Sequence, residues 1–188
     1  MQVRPAHSED AHAILDLHVA SIRAFGPETY TDEQVEAWAT VPNGAPGYPI
    51  GEAGQYYVVA ERDGDLVGFG HLTDDGEGYG TDAAVEAVYV HPDHAGRGVG
   101  SAILAHLEGY ARASGHESLG LWASLNAVPF YEASGWERVE PRTPTGHHWC
   151  MSTHGTWPAR PSPPRRPRHR HPWSGSGKGL GEGHSGFR

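Results

Sequence analysis

Val88-Tyr89-Val90-His91-Pro92-Asp93-His94-Ala95-Gly96-Arg97-Gly98-Val99-Gly100-Ser101 runs from an apolar strand through a glycine loop into an amphipathic helix. The glycines at 96, 98 and 100 leave successive backbone N–H groups unshielded by side chains. The helix that follows aims the positive end of its dipole at the same place. Free N–H groups at a helix N-terminus make a seat for a phosphate or pyrophosphate, so the stretch points to a nucleotide-like ligand. A P-loop would close with Lys-Ser/Thr; Val99-Gly100-Ser101 stands here instead and argues against ATP or GTP chemistry. A dinucleotide fingerprint would sit near the chain start, with an acidic residue about 20 residues beyond it. This loop falls mid-chain, and Glu117, in that window, precedes a strand rather than ending one. A plain strand-to-helix turn is the competing reading, and a second motif weighs against it.

That motif is Leu119-Gly120-Leu121-Trp122-Ala123-Ser124-Leu125-Asn126-Ala127-Val128-Pro129-Phe130-Tyr131-Glu132-Ala133-Ser134-Gly135-Trp136. In this order and separation the two stretches closely resemble the GCN5-related N-acetyltransferase (GNAT) superfamily. Its members carry an Arg/Gln-x-x-Gly-x-Gly/Ala loop after the fourth strand and an Asn-Ala-x-x-Phe-Tyr-Glu-x-x-Gly-aromatic signature after the fifth. The resemblance covers roughly residues 1 to 152. One position departs from it: Ala95 stands where the family usually has Arg or Gln. This removes a side-chain contact and none of the backbone donors.

The rest of the chain reads as alternating elements. A short strand at Gln2-Val3-Arg4 precedes Ser8, the expected N-cap of a first helix that carries Ile14, Leu15, His18, Val19 and Ile22 on one face. Thr31-Asp32-Glu33-Gln34 fits a capping box, which places a second helix through Val35 and Trp38. Two apolar runs, 55–62 and 66–72, flank Asp63-Gly64 and predict a hairpin. A strand from Val85 to His91 comes next, then a helix with Val99, Ile103, Leu104, Leu107, Tyr110 and Ala111 on one face. A strand at 118–122, a helix at 128–134 and strands at 136–139 and about 147–151 complete the pattern. The expected fold is mixed α/β, and the resemblance implies a central twisted mixed sheet of about six to seven strands flanked by about four helices.

Charge divides the chain. Residues 1–155 hold seven arginines, no lysine and 22 acidic residues, a net charge of −15, whereas 156–188 hold six arginines, Lys178 and only Glu182, a net charge of +6. We read 1–155 as the folded domain and the Pro/Arg/Gly-rich 156–188 as a disordered tail. The acidic body argues against nucleic-acid binding by the domain and leaves only the Arg-rich tail for that role. No run is long enough to span a membrane, the start Met1-Gln2-Val3-Arg4 lacks a secretory apolar core, and Cys150 is a lone cysteine. A cytoplasmic address is the expectation. Cys150 reads as a buried strand residue, and a homodimer is compatible with the sequence. The fourteen histidines show no metal-ligand spacing, so no metal is expected.

The resemblance implies acetyl transfer from acetyl-CoA to a primary amine of a small molecule or peptide, direct in a ternary complex. Gly96, Arg97, Gly98, Val99, Gly100 and Ser101 would cradle the pyrophosphate, Arg97 being otherwise a solvated side chain. Val88, Tyr89 and Val90 would pair with the pantetheine arm, and the N–H of Tyr89 or Val90 would polarise the acetyl carbonyl. Asn126 would bond the same arm, or cap the helix it precedes. Tyr131 occupies the position whose hydroxyl protonates the departing thiolate. Strand alternation puts Glu86 on one face with Val88 and Val90, and Glu86 is the expected base, with His71 and His91 as runners-up. Phe25, Tyr30 and Trp38 would wall the acceptor pocket. The aromatics suit a partly apolar or cationic acceptor, and the acidic body would attract a polyamine, an aminoglycoside-like base or a basic peptide. The rival reading from another class is an acyl-CoA-binding sensor or interaction module without turnover.

Overall fold

Asp63 and Gly64 both take positive φ, 57° and 93°, the pair that turns a two-residue hairpin with the twist its strands need. That turn joins β2 (Gln55–Arg62) to β3 (Asp65–Thr73), the antiparallel centre of the sheet. The computed structural model describes residues 1–139 and the backbone of 148–154; the expected tail at 156–188 and the side chain of Cys150 lie outside the described residues. Before the hairpin come β1 (Gln2–Pro5), α1 (Ala11–Phe25) and α2 (Asp32–Ala39). After it come β4 (Ala83–Val90), α3 (Val99–Ser114), β5 (Ser118–Ser124), α4 (Val128–Ala133), β6 (Glu137–Arg138) and β7 (His148–His154). The strands form one sheet in the order β1-β2-β3-β4-β5-β7-β6, with β4 and β5 its parallel neighbours. The expected mixed sheet is therefore observed, with seven strands and four α-helices among the described residues.

Alternation along the strands splits the core into two layers. Val58, Ala60, Val67 and Leu72 meet Val99, Ile103, Leu104 and Leu107 of α3 on one face. Tyr57, Val59 and Phe69 meet Ile14 and Leu17 of α1 on the other. Helix α3 sits very close to the sheet because β3 presents glycines to it. A Cβ at Gly68 would lie 2.7 Å from Ile103 Cδ1, and one at Gly70 would lie 2.4 Å from Ile103 Cγ2.

The capping box of α2 forms as expected: Gln34 N–H donates to Thr31 Oγ1 at 3.3 Å, and Thr31 N–H donates to Gln34 Oε1 at 2.9 Å. The start of α1 differs from the expectation. Ser8 is inside a 3₁₀ turn (Ser8–Asp10), and the flanking residue is His7, whose N–H donates to Asp10 Oδ2 at 2.7 Å. Asp10 is held there by Arg4, which also donates to Glu61 at 2.6 Å, so β1, β2 and the helix entry share one guanidinium.

Two irregularities open the sheet. The ladder between β4 and β5 consists of Ala83↔Leu119 and Ala84↔Gly120, after which the two strands part. Just beyond, the register of β4 against β3 steps from Leu72↔Val85 to His71↔Ala87 and skips Glu86. This bulge corrects the alternation expected from sequence. Val85, Val88 and Val90 all pack on the α3 side, Ala87 and Tyr89 on the α1 side, and Glu86 is the extra, exposed residue.

Candidate functional site

The parting of β4 from β5 leaves one edge of β4 without a ladder partner among the described residues along Val85–Val90, and two cavities flank that edge. The larger, about 500 Å³, lies under the C-terminal half of α1. Its walls include Val88, Tyr89 and Val90 of β4, Gly96, Gly98, Val99, Gly100 and Ser101 of the loop and helix start, and Asn126. Gly96 and Gly98 take φ of 69° and 78°, left-handed values that let the loop turn its backbone toward the helix N-terminus. Every residue expected to hold a phosphorylated ligand is thus gathered in one place except Arg97, which is exposed and does not line the cavity. Ala95 does line it.

Asn126 does not cap α4. Its Nδ2 donates to the carbonyl of Phe25 at 3.3 Å, and its Oδ1 is buried without a hydrogen-bond partner among the described residues. Beside it, Leu125 N–H donates to the Tyr30 hydroxyl at 2.9 Å. Together these bonds strap the α1–α2 connection to the β5–α4 connection across the cavity. A buried amide oxygen without a partner costs free energy that a donor on a bound molecule would recover.

The smaller cavity, about 330 Å³, holds both expected chemical residues, Glu86 and Tyr131. The Tyr131 ring is buried against Phe130 and Trp136, with centroids 4.9 Å and 5.9 Å away. That burial pushes its phenol well above the ordinary value, so it stays protonated at neutral pH. Glu86 reaches the cavity because of the bulge, and the Tyr79 hydroxyl donates to its Oε1 at 2.9 Å. Trp38, Val88, Tyr89, Ser124 and Ala127 line both cavities, so the two meet at the β4 edge.

The runner-up bases lie elsewhere. His71 stacks on Tyr57 at 3.9 Å between centroids, bonds Gln55 Oε1 through Nε2 at 2.6 Å, and lines neither cavity. His91 accepts from Asp93 N–H at 3.3 Å and also lines neither. Among the described residues, no three His, Cys, Asp or Glu come together as metal ligands. No helix among them is long and apolar enough to cross a membrane.

Tyr79 and Trp122 escaped the sequence reading. On β5 the buried phase is Leu119, Leu121 and Ala123, so Trp122 is a large aromatic at the out-of-phase position, a signal that was available. Tyr79 gave no such signal. It packs over Gly120, where a Cβ would lie 2.4 Å from Tyr79 Cβ, and that contact joins residues 41 positions apart.

The sequence profile of the acetyltransferase (GNAT) family matches residues 12–136, most of the described fold. The chain belongs to this family. A GCN5-related N-acetyltransferase from Rhodopseudomonas palustris, described as an aminotransferase, class-II, is 30% identical with a TM-score of 0.70, covering 81% of this chain and 94% of that one. The PaiA N-acetyltransferase of Thermoplasma acidophilum, solved in complex with coenzyme A, is 18% identical with a TM-score of 0.70 over 82% of this chain and 98% of that one, a likeness of fold alone. A mycothiol acetyltransferase of Stackebrandtia nassauensis is 34% identical over 110 residues, which are 58% of this chain. The GNAT chain described here spans about a third of that relative's length, 33%. Within the GNAT fold the glycine loop follows β4, Asn126, Ala127 and Phe130 follow β5, and both segments line the 500 Å³ cavity.

Proposed function

We propose that this GNAT acetyltransferase uses acetyl-CoA to acetylate a primary amine by direct transfer, with the donor in the 500 Å³ cavity and the acceptor in the 330 Å³ cavity. The observation that carries the proposal is the wall the two cavities share. A group held by the glycine loop on one side and a nucleophile held by Glu86 on the other meet at the free edge of β4. The residues present fit the donor: backbone N–H groups at the start of α3 suit a pyrophosphate, and the partnerless Asn126 Oδ1 suits an amide N–H of the pantetheine arm.

In this reading the edge N–H of Tyr89 or Val90 polarises the acetyl carbonyl. The ammonium of the acceptor gives a proton to Glu86, directly or through water, and Glu86 passes it to solvent. The neutral nitrogen attacks the carbonyl carbon, the C–N bond forms, and the C–S bond breaks. Tyr131 gives its proton to the departing sulfur and is reprotonated by the hydrogen that the acylated nitrogen sheds. Its raised phenol suits a group that must hold a proton until sulfur carries negative charge.

Titration calorimetry of acetyl-CoA into the full chain tests the donor half, and thiol release with a panel of amines tests the transfer. Saturable binding followed by amine-dependent thiol release supports the proposal. A folded protein that fails to bind acetyl-CoA overturns it.

A further inference from the structure

We propose that the 330 Å³ cavity selects a small aralkyl monoamine, its ammonium against Glu86 and its apolar body against the rings of Trp122, Tyr79 and Trp38. This deepens the transferase reading above and rests on it for the role of acceptor. Three observations lead there. Among the described residues Glu86 is the one charged side chain lining the cavity, and the others of any size are Trp38, Tyr79, Tyr89, Trp122 and Tyr131. The carboxylate is held: the bulge at β4 turns it out, and the Tyr79 hydroxyl bonds it at 2.9 Å. The rings are held as well, with Tyr79 and Trp122 centroids 5.9 Å apart, and Trp38 edge-on to Tyr30 at 5.6 Å and to Tyr89 at 6.4 Å.

A single carboxylate among aromatic faces attracts one cation twice over, by a charge-assisted hydrogen bond and by the ring quadrupoles. It offers nothing to a second charge. A polyamine or an aminoglycoside, both compatible with the acidic surface of the chain, would bring further ammonium groups against a wall whose described residues hold no second anion. Burying such a group unpaired is costly. An amino acid would bring a carboxylate to a cavity lined by no cation among the described residues. The volume lies at the low end of the range for small-molecule pockets, about 300–1,000 Å³. The loop that carries Tyr79 also bears Asp74, Asp75, Glu77 and Asp82 and no basic residue. Such charge attracts cations of every kind, so discrimination falls to the cavity.

The test is calorimetric titration of 2-phenylethylamine, spermidine and the neutral 2-phenylethanol into the full chain, without and with excess coenzyme A, and of acetyl-CoA into the coenzyme-free chain as a separate arm. The amine is expected to bind about tenfold or more tightly than either rival. Glu86→Gln should weaken the amine about tenfold and leave 2-phenylethanol unchanged, whereas Trp122→Leu should weaken both. Circular dichroism of each variant establishes that it is folded. A preference for spermidine, equal binding of amine and alcohol, or indifference to Glu86→Gln overturns the proposal. If acetyl-CoA binds and the amine does not, the cage is refuted and the transferase reading stands. If the amine binds with Glu86 dependence and acetyl-CoA does not bind, the cage stands and the transferase reading is refuted.

Discussion

Gly98→Ala isolates what the glycine loop contributes. Gly98 flanks the start of α3 at φ 78°, and a Cβ there would meet nothing within 4 Å. The substitution therefore adds no clash and acts only through the backbone, since an L-residue in the left-handed region costs about 1–2 kcal/mol. The chain has two ways to respond. If it keeps the loop geometry, the cost falls on stability and Tm drops by roughly 2–8 °C for a domain of this size. If it relaxes the loop, stability is spared, but the N–H groups leave the cavity and acetyl-CoA must restore them, which weakens binding by about 5–30-fold. Thermal melts and calorimetry on the same preparation should show losses that trade off within about 1–2 kcal/mol. Gly100→Ala is the control: its φ is not left-handed, and its Cβ would rest at 3.4 Å from the Phe130 ring and 3.6 Å from Val90 Cγ2, ordinary contacts. Inside α3, alanine gains up to about 1 kcal/mol over glycine, so Tm should hold or rise. Unchanged Tm and unchanged affinity for Gly98→Ala, or the same behaviour from both variants, would refute the argument.

Other predictions rest on separate parts of the molecule. Tyr131→Phe should lower kcat by about 10²-fold or more with little change in acetyl-CoA affinity, and steady-state kinetics showing full turnover would remove its general-acid role. Gly70→Ala places a Cβ 2.4 Å from Ile103 Cγ2 and 3.0 Å from Leu107 Cδ1. It should cost about 1–3 kcal/mol by overpacking, and a urea-melt double-mutant cycle should show favourable coupling to Ile103→Ala, which removes the clashing Cγ2. Burial pushes the imidazoles of His18 and His71 down to about 4. The folded state therefore resists protons that the unfolded chain binds below about 6.5. Stability is full above that pH and falls as pH drops toward 4, by up to about 1.4 kcal/mol per pH unit for each imidazole. Urea midpoints measured from pH 7 to 4 should follow that slope, and a His18→Phe/His71→Phe double variant should flatten it.

Much of the fold was legible because the signals are local. Asp63-Gly64 dictates its own turn, Thr31 and Gln34 satisfy each other's N–H groups three residues apart in one helix entry, and Gly96 and Gly98 are needed wherever the loop must turn left-handed. The entry to α1 was misread because Asp10 answers to a partner far along the chain: Arg4, which it shares with Glu61, holds it where it receives the His7 N–H rather than leaving Ser8 to cap. Arg97 illustrates a different limit. Its backbone belongs to the loop the sequence identified, but which way its side chain turns depends on what the neighbouring elements leave open.

By itself the sequence determined the order of strands and helices, the glycine loop between β4 and α3, and the family, because each is written in short spacings that the backbone must obey. Only the tertiary structure decided that β4 parts from β5 after Ala84, that Glu86 is the extra residue of a bulge, and that Tyr79, Trp122 and Trp38 surround it. Those facts depend on register between strands and on contacts such as Tyr79 over Gly120. Sequence periodicity specifies which face a residue takes within its own strand. It carries no record of where two strands fall out of step, and that is where the two cavities open.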